Sequence, residues 1–150
     1  FATGFGLSPR MRLDLLLNDF CYKAVTSGSV IVYQKNVRRT FIHVRDISRA
    51  LAFGFANFEA MKNNIFNVGH ESLNLTKEDI VLRIKRHFPK FYFHFAEIGF
   101  DPDHRDYEVS YAKIRKAGFE TKISLDDGIV EMLKALPTIK IYNPYSNFSA

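Results

Sequence analysis

Two arginines stand where guanidinium chemistry would be useful. Arg39 opens the run Arg39-Thr40-Phe41-Ile42-His43-Val44-Arg45-Asp46, and Arg105 lies in the turn-rich stretch Asp101-Pro102-Asp103-His104-Arg105-Asp106-Tyr107. A planar guanidinium can fork onto two phosphate oxygens, which an ammonium cannot do. Each arginine also has an aromatic residue close by, a combination that suits a phosphorylated ligand carrying a planar or sugar group. The spacing alone admits plainer accounts: Arg39 as a solvated surface charge, and Arg105 in weak local ion pairs with its aspartates. Tyr33, at the end of Val30-Ile31-Val32-Tyr33, could stack on a base or pack at a sheet edge. Asn18 is a poor helix former inside an apolar helix, and could bond a phosphate or face solvent. Thr3, just before Gly4, is open in the same way.

Other chemistries find no footing. The five histidines, His43, His70, His87, His94 and His104, show no metal-ligand spacing, so no metal site is expected. His43 and His94 lie in apolar strands and read as satisfied core groups. Asp126-Asp127 is a tempting carboxylate pair, but helix capping accounts for both. Cys21, beside Phe20, reads as an inert buried thiol. There is no Gly-x-Ser-x-Gly elbow. Gly4-Phe5-Gly6 runs into Pro9 rather than opening a helix, so it is not a dinucleotide fingerprint. None of these patterns supplies a catalytic residue.

The elements that must position these groups alternate between strand and helix. Phe1–Phe5 reads as a strand end and Leu13–Ala24 as a helix stopped by Gly28; Val30–Tyr33 and Phe41–Val44 read as strands. Asp46 is placed to cap a helix with Ile47, Ala50, Leu51, Gly54, Phe55 and Phe58 on one face. Ile65–Val68 reads as a buried strand. Thr76 and Asp79 resemble a capping box, opening a helix that Pro89 ends. Phe91–Ile98 alternates as a half-buried strand. Ser110 starts a short helix closed by Gly118, Ser124-Leu125-Asp126-Asp127 caps a last one, and Thr138–Ala150 has no periodicity. This order argues an α/β fold, with few strands for a self-contained sheet.

At 150 residues the chain is the size of one domain. The 21 Lys and Arg residues, against 16 Asp and Glu, are dispersed rather than gathered into a patch, so nucleic acid is not the expected partner. A single cysteine fits a reducing cytoplasm, and no apolar run is long enough to span a membrane. A start at Phe1, inside a strand, suggests truncation.

Taken in order, Phe1-Ala2-Thr3-Gly4-Phe5-Gly6-Leu7-Ser8-Pro9, Arg39 to Asp46, Phe66-Asn67-Val68-Gly69 and Arg105-Asp106-Tyr107-Glu108-Val109-Ser110 give the chain its resemblance. It resembles, over residues 1–136, the C-terminal half of an NAD-dependent epimerase/dehydratase of the extended short-chain dehydrogenase/reductase type acting on nucleotide sugars. The resemblance implies a small substrate-binding lobe plus the last strands of a Rossmann-type parallel sheet, with residues 137–150 an irregular tail. It implies that NAD is bound by an absent N-terminal half, which would also carry a Tyr-x-x-x-Lys pair. None of the seven tyrosines here has lysine four positions on; Tyr111, with Arg115, comes nearest. By resemblance Arg39 would clamp the diphosphate, Tyr33 would flank the base, Asn18 would meet the phosphates, and Arg105 with Tyr107 would approach from the other side. Thr3 stands where many members carry a substrate-touching asparagine. Asp101-Pro102-Asp103 departs from the commoner arginine-proline-glycine loop, which implies an unusual sugar nucleotide. The resemblance further implies a homodimeric parent, and it leaves open a non-catalytic nucleotide-binding or scaffold module of the same ancestry.

Overall fold

The computed structural model describes residues 1–99 and 105–139. The elements are β1 (Thr3–Phe5), α1 (Leu16–Thr26), β2 (Ser29–Tyr33), β3 (Arg38–His43), α2 (Val44–Ala56), α3 (Phe58–Met61), β4 (Asn74–Thr76), α4 (Lys77–His87), β5 (Tyr92–Ala96), α5 (Ala112–Lys116) and α6 (Leu125–Ala135). Short 3-10 turns at Glu71–Leu73 and Leu136–Thr138 join them. The Asp101-Pro102-Asp103 loop and most of the tail lie outside the described residues.

The strands form two small sheets, one ordered β1-β3-β4 and the other β2-β5. β1 runs parallel to β3, β4 antiparallel to β3, and β2 parallel to β5. Parallel neighbours need crossover connections, and helices supply them: α1, β2 and the following turn lie between β1 and β3, while β3 to α4 lies between β2 and β5. The fold is thus α/β with parallel sheet elements. The principal core joins both sheets through α1, α4 and α6, with Phe41, Ile80, Ile84, Phe91, Ile129 and Met132 fully buried. Each such side chain contributes about 1.5–3 kcal/mol of transfer free energy.

Local chemistry sets most boundaries. Thr76 and Asp79 make a complete capping box on α4, and Ser124 and Asp127 make another on α6. Asp126 takes no part in the second; it pairs with Arg83 and with His87 Nε2 at 2.7 Å. Gly28, at φ 70°, lets the chain reverse after α1 where a side chain would be strained. Phe91, Phe93 and Phe95 turn inward while Tyr92 and His94 are exposed, which corrects the core assignment of His94.

Two further expectations are corrected. Asp46 does not cap α2: His43 does, its Nδ1 accepting from Arg45 N–H at 3.2 Å. Asp46 is fully buried one turn further on and accepts from Lys122 N–H, Ile123 N–H and Arg49. The two backbone donors arrive from beyond α5 and, with Arg49 of α2 itself, leave the carboxylate no part in capping the helix. Ile65–Val68 forms no strand. Among the described residues only Val68 O of this segment meets a neighbour's backbone, accepting from Ala2 N–H at 3.2 Å, and Ile65 is 88% exposed. Without a second strand beside it, the segment has no ladder to join. Leu51, Phe55 and Phe58 share one face, as their spacing implies, and form an exposed apolar stripe on α2 and α3.

The segment from Gly69 to α5 is closed by one carboxylate. Glu71 accepts from Tyr111 N–H at 2.9 Å and from both terminal nitrogens of Arg115. The Arg115 guanidinium, helped by that backbone donor, holds the Glu71 carboxyl down at about 2 from an ordinary 4.5. A folded-state pKa below the unfolded one adds stability that is complete above pH 4.5 and disappears as pH falls toward 2. Because the pair is partly exposed, the contribution is modest. Glu71→Gln should therefore flatten the acid limb of the unfolding profile across that interval. A variant whose profile overlays the parent's would contradict this assignment.

Candidate functional site

One cavity of about 420 Å³ opens between α1, β2, β3 and the segment starting at Arg105. That volume is within the range of small-molecule sites. Thr3, Tyr33, Arg39 and Arg105, four of the six residues singled out from sequence, line it. They arrive from four separate segments of the chain.

Each is positioned by identifiable contacts. Thr3 pairs with Phe41 in the β1–β3 ladder, which brings it onto the strand carrying Arg39. Arg39 is only 6% exposed; its Nη1 donates to Arg38 O at 2.9 Å, and its guanidinium lies 5.9 Å from the Tyr107 ring centre. Arg105 is carried by a segment tied to the start of β3. Asp106 Oδ1 accepts from Arg38 N–H at 2.8 Å, and Glu108 pairs with the Arg38 side chain. The turn after Tyr33 begins with Gln34 at φ 52°, an uncommon conformation for a non-glycine residue. It reverses the chain so that β2 and β3 both reach the cavity.

Asn18 and Tyr107 have other surroundings. The Asn18 side chain is buried, accepts from Gly6 N–H at 3.2 Å and donates to Arg12 O at 3.0 Å. It fixes the loop between β1 and α1. Tyr107 supports Arg39 and faces a smaller hollow lined by Ala2, Thr40 and Tyr111.

Lys77 escaped the sequence reading. It is 2% exposed, lines the same cavity and donates through Nζ to Tyr33 O at 3.0 Å. It is the first residue of α4, directly after the Thr76 cap. Its burial follows from the antiparallel register of β4 on β3, Arg39 against Leu75 and Arg38 against Thr76, which sets the next residue beside the arginine strand. No local signal carries that information. Two cations more than nine-tenths buried in one wall, with a third at the rim, suit a ligand of more than one negative charge.

Neighbouring polar groups are occupied structurally. His43 is fully buried; with Nδ1 accepting, Nε2 carries the proton and donates to Glu131 Oε2 at 2.8 Å. Tyr111 shares a hydrogen bond of 2.5 Å with Thr40, and burial pushes its hydroxyl above the ordinary tyrosine range. A Cβ on Gly69 would come within 2.5 Å of the Tyr111 ring, so the motif ending at Gly69 serves close packing. Cys21 is buried and its thiol is pushed up by desolvation, which makes it a poor nucleophile.

Among the described residues no group of three His, Cys, Asp or Glu side chains is arranged to hold a metal. α1 begins at Leu16, ten residues after Gly6, so no helix N-terminus is presented at the glycine turn. No helix among the described residues is long and apolar enough to cross a membrane.

No family model matches the chain. Solved structures do. The GDP-D-glycero-L-gluco-heptose synthase of Campylobacter jejuni, solved with NADPH, is 20% identical; the match covers 91% of this chain and 52% of that one, at a TM-score of 0.68. UDP-glucose 4-epimerase from Thermotoga maritima, solved with UDP-glucose, is also 20% identical, covers 91% of this chain and 44% of its own, and reaches 0.73. L-threonine dehydrogenase from Phytophthora infestans is 17% identical, covering 92% and 47% at 0.73. The chain spans about half the length of the structures it matches. Its fold is therefore that of about half of each of these enzymes, an α/β arrangement with parallel sheet elements.

Proposed function

We propose that this chain is the substrate-binding portion of an NAD-dependent nucleotide-sugar epimerase or dehydratase. The observation that carries the reading is the cavity itself: Thr3, Tyr33, Arg39 and Arg105 converge on it, with Lys77 buried beside them. Arg39, Arg105 and Lys77 hold the diphosphate, Tyr33 flanks the base, Thr3 approaches the sugar, and Tyr107 braces Arg39. Asn18 shapes the loop leading into α1 and acts on the phosphates through it. L-threonine dehydrogenases share the fold, but an amino acid carries a single carboxylate and makes poor use of three converging cations.

NAD is held by the half not contained in this chain, as is the tyrosine–lysine pair that moves the hydroxyl proton while hydride passes to the cofactor. What these residues do is bind, orient and exclude water. The exposed stripe of Leu51, Phe55 and Phe58 and the exposed Phe1 and Ile65 suit a fold whose other half packs there. The single, buried Cys21 suits a reducing cytoplasm, and the parent is a homodimer. Reading the coding sequence ahead of Phe1 tests the enzyme assignment. A glycine fingerprint and a Tyr-x-x-x-Lys pair are expected. The absence of either would leave a non-catalytic nucleotide-binding module.

A further inference from the structure

We propose that Asp19 and Lys23 read the base at the α1 wall of this cavity and select guanine, so that the ligand is a guanosine diphosphate sugar. The inference rests on the nucleoside-diphosphate reading of the same cavity and adds which base it takes.

The cations that suit phosphate come from β3, the start of α4 and the Arg105 segment, whereas α1 supplies Leu16, Asp19, Phe20 and Lys23. Residues one turn apart on a helix share a face, and these four present two apolar and two charged side chains to the cavity. Ile31 and Tyr33 of β2 line it too. Apolar and aromatic walls with a few fixed polar groups suit a planar base. Lys23 Nζ and Asp19 Oδ2 lie 2.8 Å apart, setting a donor and an acceptor side by side.

Asp14, the other carboxylate in the wall, differs. Arg12 takes both its oxygens, Nε to Oδ1 at 2.7 Å and Nη2 to Oδ2 at 2.5 Å, and their neutralising fork is complete without a ligand. The Asp19 contact to Lys23 uses Oδ2, and the Asp19 side chain is 18% exposed against 37% for Asp14. Burial raises the Asp19 carboxyl even beside Lys23. A partly desolvated acceptor in a cavity wall gains more than a surface one from an N–H that reaches it.

The pattern of donors and acceptors picks the base. Guanine presents in a row the O6 acceptor, the N1–H donor and the N2 amino donors. The ammonium meets O6 and the carboxylate accepts from N1–H and N2–H together. Adenine and cytosine each offer the carboxylate only one exocyclic amine. Uracil and thymine flank their single N–H with carbonyls, so one of these oxygens would lie against the carboxylate.

Calorimetric titration of the protein with GDP, ADP, CDP and UDP tests this. GDP should bind roughly ten- to hundred-fold more tightly than UDP, the scale of a paired contact made or lost. Asp19→Asn should lose most of that preference, its GDP affinity falling while its UDP affinity rises, because the Asn amide can donate to the uracil oxygen that the carboxylate opposes. The same variant should bind xanthosine diphosphate better than GDP, because xanthine has a carbonyl where guanine has its amino group and the Asn amide can donate to it. A gain of that kind cannot come from damage to the fold. Equal affinity for all four diphosphates in the parent would overturn the base assignment and leave the diphosphate site standing. Failure to bind any of them would remove both.

Discussion

Arg39→Ala and Arg105→Ala should each weaken binding of a nucleoside diphosphate by roughly ten- to hundred-fold. Charge-assisted hydrogen bonds are worth about 1.5–3 kcal/mol each, and a guanidinium can make two in parallel. The Arg39 variant should be the worse of the two. Arg39 is 6% exposed and braced by Tyr107, whereas Arg105 is exposed, where solvent screens part of its attraction. Lysine at either position should restore only part of the loss, since it keeps the charge and gives up the fork. If the two arginines share a ligand oxygen, the double variant should lose less than the sum of the singles. Thermal stability separates binding from folding: the Arg105 variant should melt with the parent. Unchanged affinity in both single variants would remove the two-arginine clamp.

The largest effect on stability is expected at Asp46. Its carboxylate is fully buried, accepts from Lys122 N–H at 3.1 Å and Ile123 N–H at 2.9 Å, and pairs with Arg49 at 2.5 Å. Asp46→Ala leaves those donors with no acceptor in a place that replacement water reaches poorly. Each of the two unmet backbone donors costs about 1–3 kcal/mol, while the Arg49 guanidinium is partly exposed, turns to water and adds little. A total of about 3–5 kcal/mol should lower the melting temperature by on the order of 10 °C. Asp46→Asn keeps one acceptor oxygen and should fall between the two. Because Lys122 and Ile123 lead straight into the Ser124 cap of α6, hydrogen exchange in Asp46→Ala should rise first over residues 121–127. A melting curve that matches the parent's would contradict this role.

What could be read from the residues, and what could not, divides along the range of the forces involved. The capping boxes at Thr76 and Ser124 formed as their spacing implies, because each is settled within four residues. The inward phenylalanines of β5 followed from strict alternation. Arg39, Arg105, Tyr33 and Thr3 were singled out by side-chain type and resemblance, and the fold brings all four to one cavity. Lys77 was missed because its burial is decided by the pairing of β4 with β3. Asp46 was misassigned because its partners lie about 76 residues away. Ile65–Val68 has the composition of a strand, but a strand exists only beside another, and here it has a single backbone bond to Ala2. Leu51, Phe55 and Phe58 follow a helical stripe faithfully, yet periodicity shows which residues share a face and not what covers that face.

The most direct test of the account is titration of the protein with a nucleoside diphosphate beside the bare nucleoside. If Arg39, Arg105 and Lys77 form an anion site, the diphosphate should bind with one site per chain. The nucleoside should bind at least tenfold more weakly, and added salt should narrow the difference by screening the charges. Equal affinity for the two, or no binding of the diphosphate at any salt concentration, would contradict the assignment of this cavity to a nucleotide sugar.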